Sequence, residues 1–289
     1  MIGLLLILFL TGIETRGAVR WVDLFGIRLQ FSEIIKPFFV IFMAKYITSD
    51  ENRSFGKFIR SFLLLTPIFF LTLKQPDLGN AMIYLVVVIF MLFASRFPLR
   101  YFLGAGIGIA TLFPLIITLL HDYQRARLLT FLNPSSDPFG TSYNAVQSLI
   151  SIGSGGLIGR GFGQATQSIL KFLPEQHTDF IFATISESLG FVGVVFLLGL
   201  YVFLLYKIYR ISQDTQDEFS RLVVLGFYFL MLTHVFLNVG MNIGIVPVVG
   251  VTLPFASYGG SSLLTSFIIL GIISSIKFDA KRRGVLEIS

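Results

Sequence analysis

The sequence predicts an all-α polytopic membrane protein with about eight transmembrane helices, and three observations lead there. Charged residues make up 13% of the 289, about half the ~25% usual in soluble globular chains. Apolar runs such as 80–95 and 101–120 approach the roughly 20 residues that a helix needs to cross a bilayer. These runs are continuous rather than alternating, which favours helices over a closed barrel, the other structure that satisfies its backbone in lipid.

The first predicted span, 1–13, opens with MIGLLLILFL. It lacks the basic start and small-residue cleavage site of a signal peptide, so it reads as part of a helix. The second span, 32–48, carries Glu33 and Lys36 at its entrance. The third and fourth, 59–74 and 79–95, flank QPDLGN (75–80), a tight turn with Asp77 at a helix start. The fifth is 100–120, and Pro67, Pro76 and Pro114 mark kinks or ends. The sixth, seventh and eighth are 180–207, 221–243 and 260–277. After the seventh comes GIVPVVGVTLPFASYGGSS (244–262), whose prolines and small residues interrupt the helix. Irregular backbone at membrane depth is tolerated only where protein or a cavity covers it, so this stretch reads as a cavity wall or gate.

Lys and Arg set the orientation. One set of junctions holds Lys45, Arg53, Lys57, Arg60, Arg96, Arg100, Lys207, Arg210, Arg221, Lys277, Lys281, Arg282 and Arg283. The alternate set holds Arg16, Arg20, Arg28, Lys74, Arg125, Arg127, Arg160 and Lys171, half of them in one long loop that weighs little. The richer set is therefore expected in the cytoplasm. Net charge of +6 fits Lys and Arg beside anionic lipid and calls for no nucleic acid. With no Cys, disulfide and thiolate chemistry are excluded. The whole chain, 1–289, reads as one membrane domain. Within it, 121–179 forms a large loop on the outer face, far longer than ordinary connections and thus of the kind that carries function.

Several polar stretches face that side. In FLPEQHTDFIFATISESLG (172–190), Asp179 stands at a helix mouth, with Glu175 and His177 just before it and Ser186 and Glu187 about two turns further in. Asp179 reads either as a helix cap or as a general base or cation ligand. Glu187 falls inside the bilayer, where an ionisable group is functional by default. In 17–36, Trp21 beside Arg20 suits an interfacial belt. Glu33 and Lys36 sit i, i+3 and can pair, as a structural ion pair or as the lining of a polar cavity. GSGGLIGRGFG (153–163) lacks a preceding strand and a Walker Lys, so nucleotide sites are set aside; surface turns or a phosphate nest including Arg160 remain. Arg125 and Arg127 in YQRAR suit phosphate, or a headgroup anchor. Outward-facing cations, an adjacent carboxylate and an apolar body together point to chemistry or transport on a lipid-linked diphosphate.

Seven ordered stretches resemble one family: RGAVRW with QFSEIIK, QPDLGNA, YQRARLLTFLNPSSDPFG, QSLISIGSGGLIGRGFG, FLPEQHTDFIF and PVVGVTLPFASYGGSS. They resemble the SEDS proteins (shape, elongation, division and sporulation), the RodA and FtsW peptidoglycan polymerases, over essentially the whole chain. TQSILKFLPEQHTDFIF is more similar to the RodA branch. The resemblance implies a fold of about ten helices, of which two would precede this start. It implies a bacterial inner-membrane enzyme, active on the extracytoplasmic face, that polymerises lipid II during elongation. Its partners would be a class B penicillin-binding protein and the elongation machinery. It makes Asp179 the essential acid. Substrate contacts would come from Trp21, Arg20, Glu33, Lys36, Arg125, Arg127, Arg160, Glu175 and His177, with a divalent cation (Mg or Mn) left open. A lipid II flippase and a non-catalytic scaffold for the penicillin-binding protein are the alternatives. The chain departs from the family at Phe31, where a Pro is usual, at Ser188, where a second acid is common, and at Ala256, where a larger apolar residue is usual.

Overall fold

The computed structural model of the chain describes residues 3, 13–15, 18–24, 27–119, 125, 131–132, 140, 142–161, 163–165, 167, 170 and 172–286. Apart from Gly3, which is helical, the first predicted span lies outside the described residues until Ile13. The fold is helical, as expected, with one addition. Three short strands, β1 (Ile13–Thr15), β2 (Ala18–Leu24) and β3 (Ile27–Leu29), form an antiparallel meander. Trp21 on β2 faces Ile13 in register. The stretch between the first two predicted spans, for which the sequence predicted no element, thus carries sheet. Val19, Trp21, Val22 and Ile27 suit strands, and the two-residue connections each contain a Gly.

Eight helices follow among the described residues: α1 (Phe31–Thr48), α2 (Phe55–Lys74), α3 (Leu78–Ala94), α4 (Leu99–Leu119), α5 (Tyr143–Gly155), α6 (Ile181–Asp214), α7 (Glu218–Asn242) and α8 (Gly260–Leu286). Among the described residues four stretches are long and apolar enough to cross a membrane: Phe55–Lys74, Ile181–Asp214, Glu218–Asn242 and Gly260–Lys281. Pro114 lies within α4, so there it does not end the helix. α2 starts on Ser54, whose hydroxyl accepts the Lys57 N–H. α3 starts on Asp77, whose carboxylate accepts the Asn80 N–H. Each side-chain cap satisfies one of the donors that a helix start leaves unpaired.

The chain divides into two compact units. The first comprises residues 1–101, 203–233 and 259–289. Here α1 lies against α2, α3 and α8, and its Ile35, Phe39, Val40, Met43, Ala44 and Ile47 are buried. The ring of Phe39 meets Tyr84 of α3 edge-on at 5.1 Å. Gly226 of α7 comes so close that an added Cβ would stand 2.5 Å from Val40 and 3.1 Å from Met91. At one end of this unit Arg53 donates to the Ser95 carbonyl at 2.9 Å and to Glu218 at 2.6 Å. That gathers the 49–54 loop, the end of α3 and the start of α7, three of the junctions expected on the cytoplasmic side. At the opposite ends of α1 and α3, Gln30 bonds Ser261 and Asp77, both at 2.8 Å.

The second unit comprises 102–202 and 234–258. Leu173, Phe180 and Ala183 form its small core with Ile152 and Val248. Its distinguishing feature is the break of α6 at Gly190, where φ is 65°. In an unbroken helix the Phe191 and Val192 N–H groups would bond the Glu187 and Ser188 carbonyls. Instead they bond the Gly156 and Leu157 carbonyls at 2.9 and 3.1 Å. The two helix carbonyls accept the Arg160 and Gly161 N–H groups, both at 2.9 Å. The Gly-rich loop thus replaces two missing rungs with four hydrogen bonds, the condition under which a broken helix survives in an apolar setting. Residues 156–158 are exposed turns, in keeping with the surface-turn reading, and the phosphate nest is the weaker of the two. Two N–H groups a nest would offer are already taken.

Candidate active site

In the first unit a buried polar network sits at the entrance of α1. Lys36 is 0% exposed and Glu33 5%, and they pair at 2.7 Å. The i, i+3 spacing puts both on one face, as the sequence implied. Beside them Asp77 Oδ2 accepts from Gln30 at 2.8 Å, Ser32 at 3.2 Å and Asn80 at 2.8 Å. Tyr84 donates to the Ser32 carbonyl at 2.8 Å. Pro37 offers no N–H to the Glu33 carbonyl one turn back, so the ion pair lies where the helix lacks a rung.

In the second unit Asp179 sits on a tight turn. Glu175 adopts φ 53°, and its carbonyl accepts the N–H groups of Thr178, Asp179 and Phe180 at 3.1–3.2 Å. Its carboxylate accepts the Thr178 hydroxyl at 3.2 Å. Thr184 reaches back to the Gln176 carbonyl at 3.0 Å. Glu175 therefore shapes the turn as well as lying near it. The Asp179 side chain is half-buried and faces the 250s loop: an added Cβ on Gly250, where φ is +68°, would lie 3.1 Å from its Oδ2.

Two residues of α7 clamp this turn. Asn238 donates to the Asp179 carbonyl at 2.9 Å and to the Val251 carbonyl at 2.6 Å. Asn242 donates to the same Asp179 carbonyl at 3.1 Å, while its Oδ1 accepts the Ala183 N–H at 3.2 Å. One turn before Asn238, His234 Nδ1 lies 3.1 Å from the Thr252 carbonyl. Asn238 thereby ties the acid's turn to the loop that faces it. Sequence reasoning passed over these residues, yet the signal was present: a polar residue every fourth position, His234, Asn238 and Asn242, inside an apolar span.

The other expected residues that the structure describes lie on several different elements. His177 is exposed, its carbonyl accepts the Tyr258 N–H at 2.7 Å, and its ring lines an open groove with Ile181, Ala256, Ser257 and Tyr258. Glu187 is buried and accepts the Gln167 N–H at 2.9 Å. Arg160 is exposed and donates from Nε to the Ser154 carbonyl at 3.0 Å. Arg125 is exposed, Arg20 lies on β2 next to the half-buried Trp21, and Arg127 lies outside the described residues. Among the described residues no group of three or more His, Cys, Asp or Glu is placed to hold a metal ion.

Chemically, the second unit offers a carboxylate on a braced turn close in sequence to a groove lined by His177 and Tyr258. The first offers a buried cation paired with an acid.

Comparison with known proteins agrees. A family model described as cell cycle protein, FtsW/RodA/SpoVE, matches residues 1–282. The peptidoglycan glycosyltransferase MrdB of Escherichia coli K12 is 42% identical over 274 residues, 93% of this chain and 74% of that protein. A probable peptidoglycan glycosyltransferase FtsW of Trichlorobacter lovleyi is 38% identical over 284 residues, 96% of this chain and 74% of its own. Among solved structures, a chain from a study of a peptidoglycan synthase complex that coordinates polymerization and crosslinking superposes with TM-score 0.82 at 32% identity, covering 96% of this chain and 80% of that one. The rod shape determining protein RodA of Thermus thermophilus superposes with TM-score 0.68 at 30% identity, covering 96% and 75%. A helical, apolar chain with these relatives is an integral membrane protein, and it belongs to the FtsW/RodA/SpoVE family of cell cycle proteins.

Proposed function

We propose that this chain is a peptidoglycan glycosyltransferase that polymerises lipid II on the outer face of the bacterial cytoplasmic membrane, with Asp179 as its general base. The observation that supports this reading most is the Asp179 turn: an acid braced by Asn238 and Asn242 in a chain 42% identical to MrdB over 93% of its length.

The Asp179 carboxylate takes the proton of the acceptor sugar's 4-hydroxyl as that oxygen attacks the anomeric carbon of the donor. The new C–O bond forms as the bond to the undecaprenyl diphosphate breaks. One displacement converts an α-linked diphosphate into a β-1,4 link, so no covalent enzyme intermediate is needed. A positioned base contributes about 10²–10⁴-fold. Cations stabilising the leaving diphosphate supply the other large share; Lys36, Arg20, Arg125, Arg127 and Arg160 are the proposed sources. Glu33 holds Lys36 in place, while Trp21, Glu175 and His177 serve the sugar side. The described residues do not build a metal site from protein ligands alone, and the step is derived without one. A class B penicillin-binding protein and the elongation machinery are the partners the reading implies, and the elongation role follows from the likeness to MrdB and RodA.

The deciding assay is lipid II polymerisation by the purified chain with its penicillin-binding partner, wild type against Asp179→Asn. Glycan should form with wild type and fall by about 10²-fold or more with the variant, at equal folded yield and partner binding. Equal glycan from both would reduce Asp179 to a structural residue. No glycan from either, with lipid II crossing vesicle membranes, would make the chain a flippase.

A further inference from the structure

The open groove beside the Asp179 turn offers about 450 Å³ and is lined by His177, Ile181, Ala256, Ser257 and Tyr258, within the ~300–1,000 Å³ usual for small-ligand sites. Tyr258 is 83% exposed, although its backbone is firmly held. Its N–H donates to the His177 carbonyl at 2.7 Å. The neighbouring Ser257 hydroxyl donates to the Thr178 carbonyl at 2.6 Å and accepts the Leu253 N–H at 2.7 Å. Three hydrogen bonds thus fix a short peptide whose function, as far as the fold goes, is to hold an aromatic ring outward.

An aromatic face with a negative quadrupole suits the C–H face of a pyranose, and Tyr orders few rotors when it binds. Ala256 presents only a methyl group to the same groove, and the His177 ring is a group able to hydrogen-bond sugar hydroxyls. We infer that this groove is a saccharide subsite, in which Tyr258 stacks on a pyranose of the lipid-linked substrate and His177 bonds its rim. The inference rests on the glycosyltransferase reading and adds to it a specificity residue, Tyr258, in the stretch that the sequence marked only as a cavity wall or gate.

The test is the initial rate of polymerisation against lipid II concentration, with partner protein saturating, for wild type, Tyr258→Phe and Tyr258→Leu. Phe keeps the ring, whereas Leu keeps only an apolar side chain of the kind that anchors in the interface. The expected result is a wild-type KM for Tyr258→Phe, a KM raised about three- to ten-fold for Tyr258→Leu, and kcat within two-fold for both. A wild-type KM for Tyr258→Leu overturns the subsite and leaves Tyr258 an interfacial anchor. Equal loss in Phe and Leu overturns the stacking. A wild type that forms no glycan removes the glycosyltransferase reading itself, and the subsite with it.

Discussion

At the level of single residues, the buried Lys36–Glu33 pair and the Asp179 turn are two ways of holding charge in an apolar chain. Lys36 is out of contact with water, and one carboxylate at 2.7 Å offsets its desolvation. Removing one partner of a buried ion pair costs roughly 3–5 kcal/mol, whereas replacing both with apolar residues of similar volume is often neutral. Lys36→Met should therefore lower the thermal midpoint in detergent by more than Glu33→Leu/Lys36→Met does. Equal midpoints would mean that the pair adds nothing to the fold. Asp179 is also held through its backbone: two Asn side chains grip its carbonyl, and its Oδ2 lies near Gly250. Both acids were legible in the sequence, because a charge in an apolar context stands out. Asn238 and Asn242 were not picked out, since an uncharged amide in a span is easily read as packing.

Among the elements, α6 depends most on a neighbour. Its break at Gly190 exists because the Gly-rich loop fills it, and the fit is tight in both directions. A Cβ on Gly190 would lie 2.2 Å from the Gly159 nitrogen, and one on Gly159 2.3 Å from the Ser188 carbonyl oxygen. Both residues also hold positive φ, which L side chains avoid. Gly153, in α5, has nothing within 4 Å of its missing Cβ. Gly190→Ala should therefore give little folded protein, judged by monodisperse yield in detergent. Gly153→Ala should equal or exceed wild type, by about 0.5–1 kcal/mol of helix preference. A well-folded Gly190→Ala variant would show that the four exchanged hydrogen bonds do not hold the break. The glycines were plain in the sequence, but their purpose was not, because the partner of 156–161 lies some thirty residues later. The meander at 13–29 was missed for a related reason: three strands of three to seven residues are too short to set up a period against the charges of that stretch.

Across the whole molecule, topology can be read out chemically because the chain contains no Cys. Single cysteines at Glu51, Arg96 and Asp214 should react with an impermeant maleimide only from the cytoplasmic side, and at Leu157 and Pro174 only from outside. Labelling of both groups from one side would overturn the proposed orientation. Arg53 already draws the 49–54 loop, Ser95 and Glu218 to one end of the first unit, which agrees with the parity of the Lys and Arg junctions. The amino-acid sequence by itself determined the helical membrane class and most of the helices, because hydrophobic length acts locally; the orientation and the role of Asp179 it supplied as proposals, which the labelling and polymerisation experiments test. Only the tertiary structure decided what braces the acid, what repairs α6 and which aromatic lines the groove. Each of these depends on backbone groups of segments far apart in the chain, and no local pattern records which carbonyl an Asn, a glycine loop or a Tyr N–H will meet.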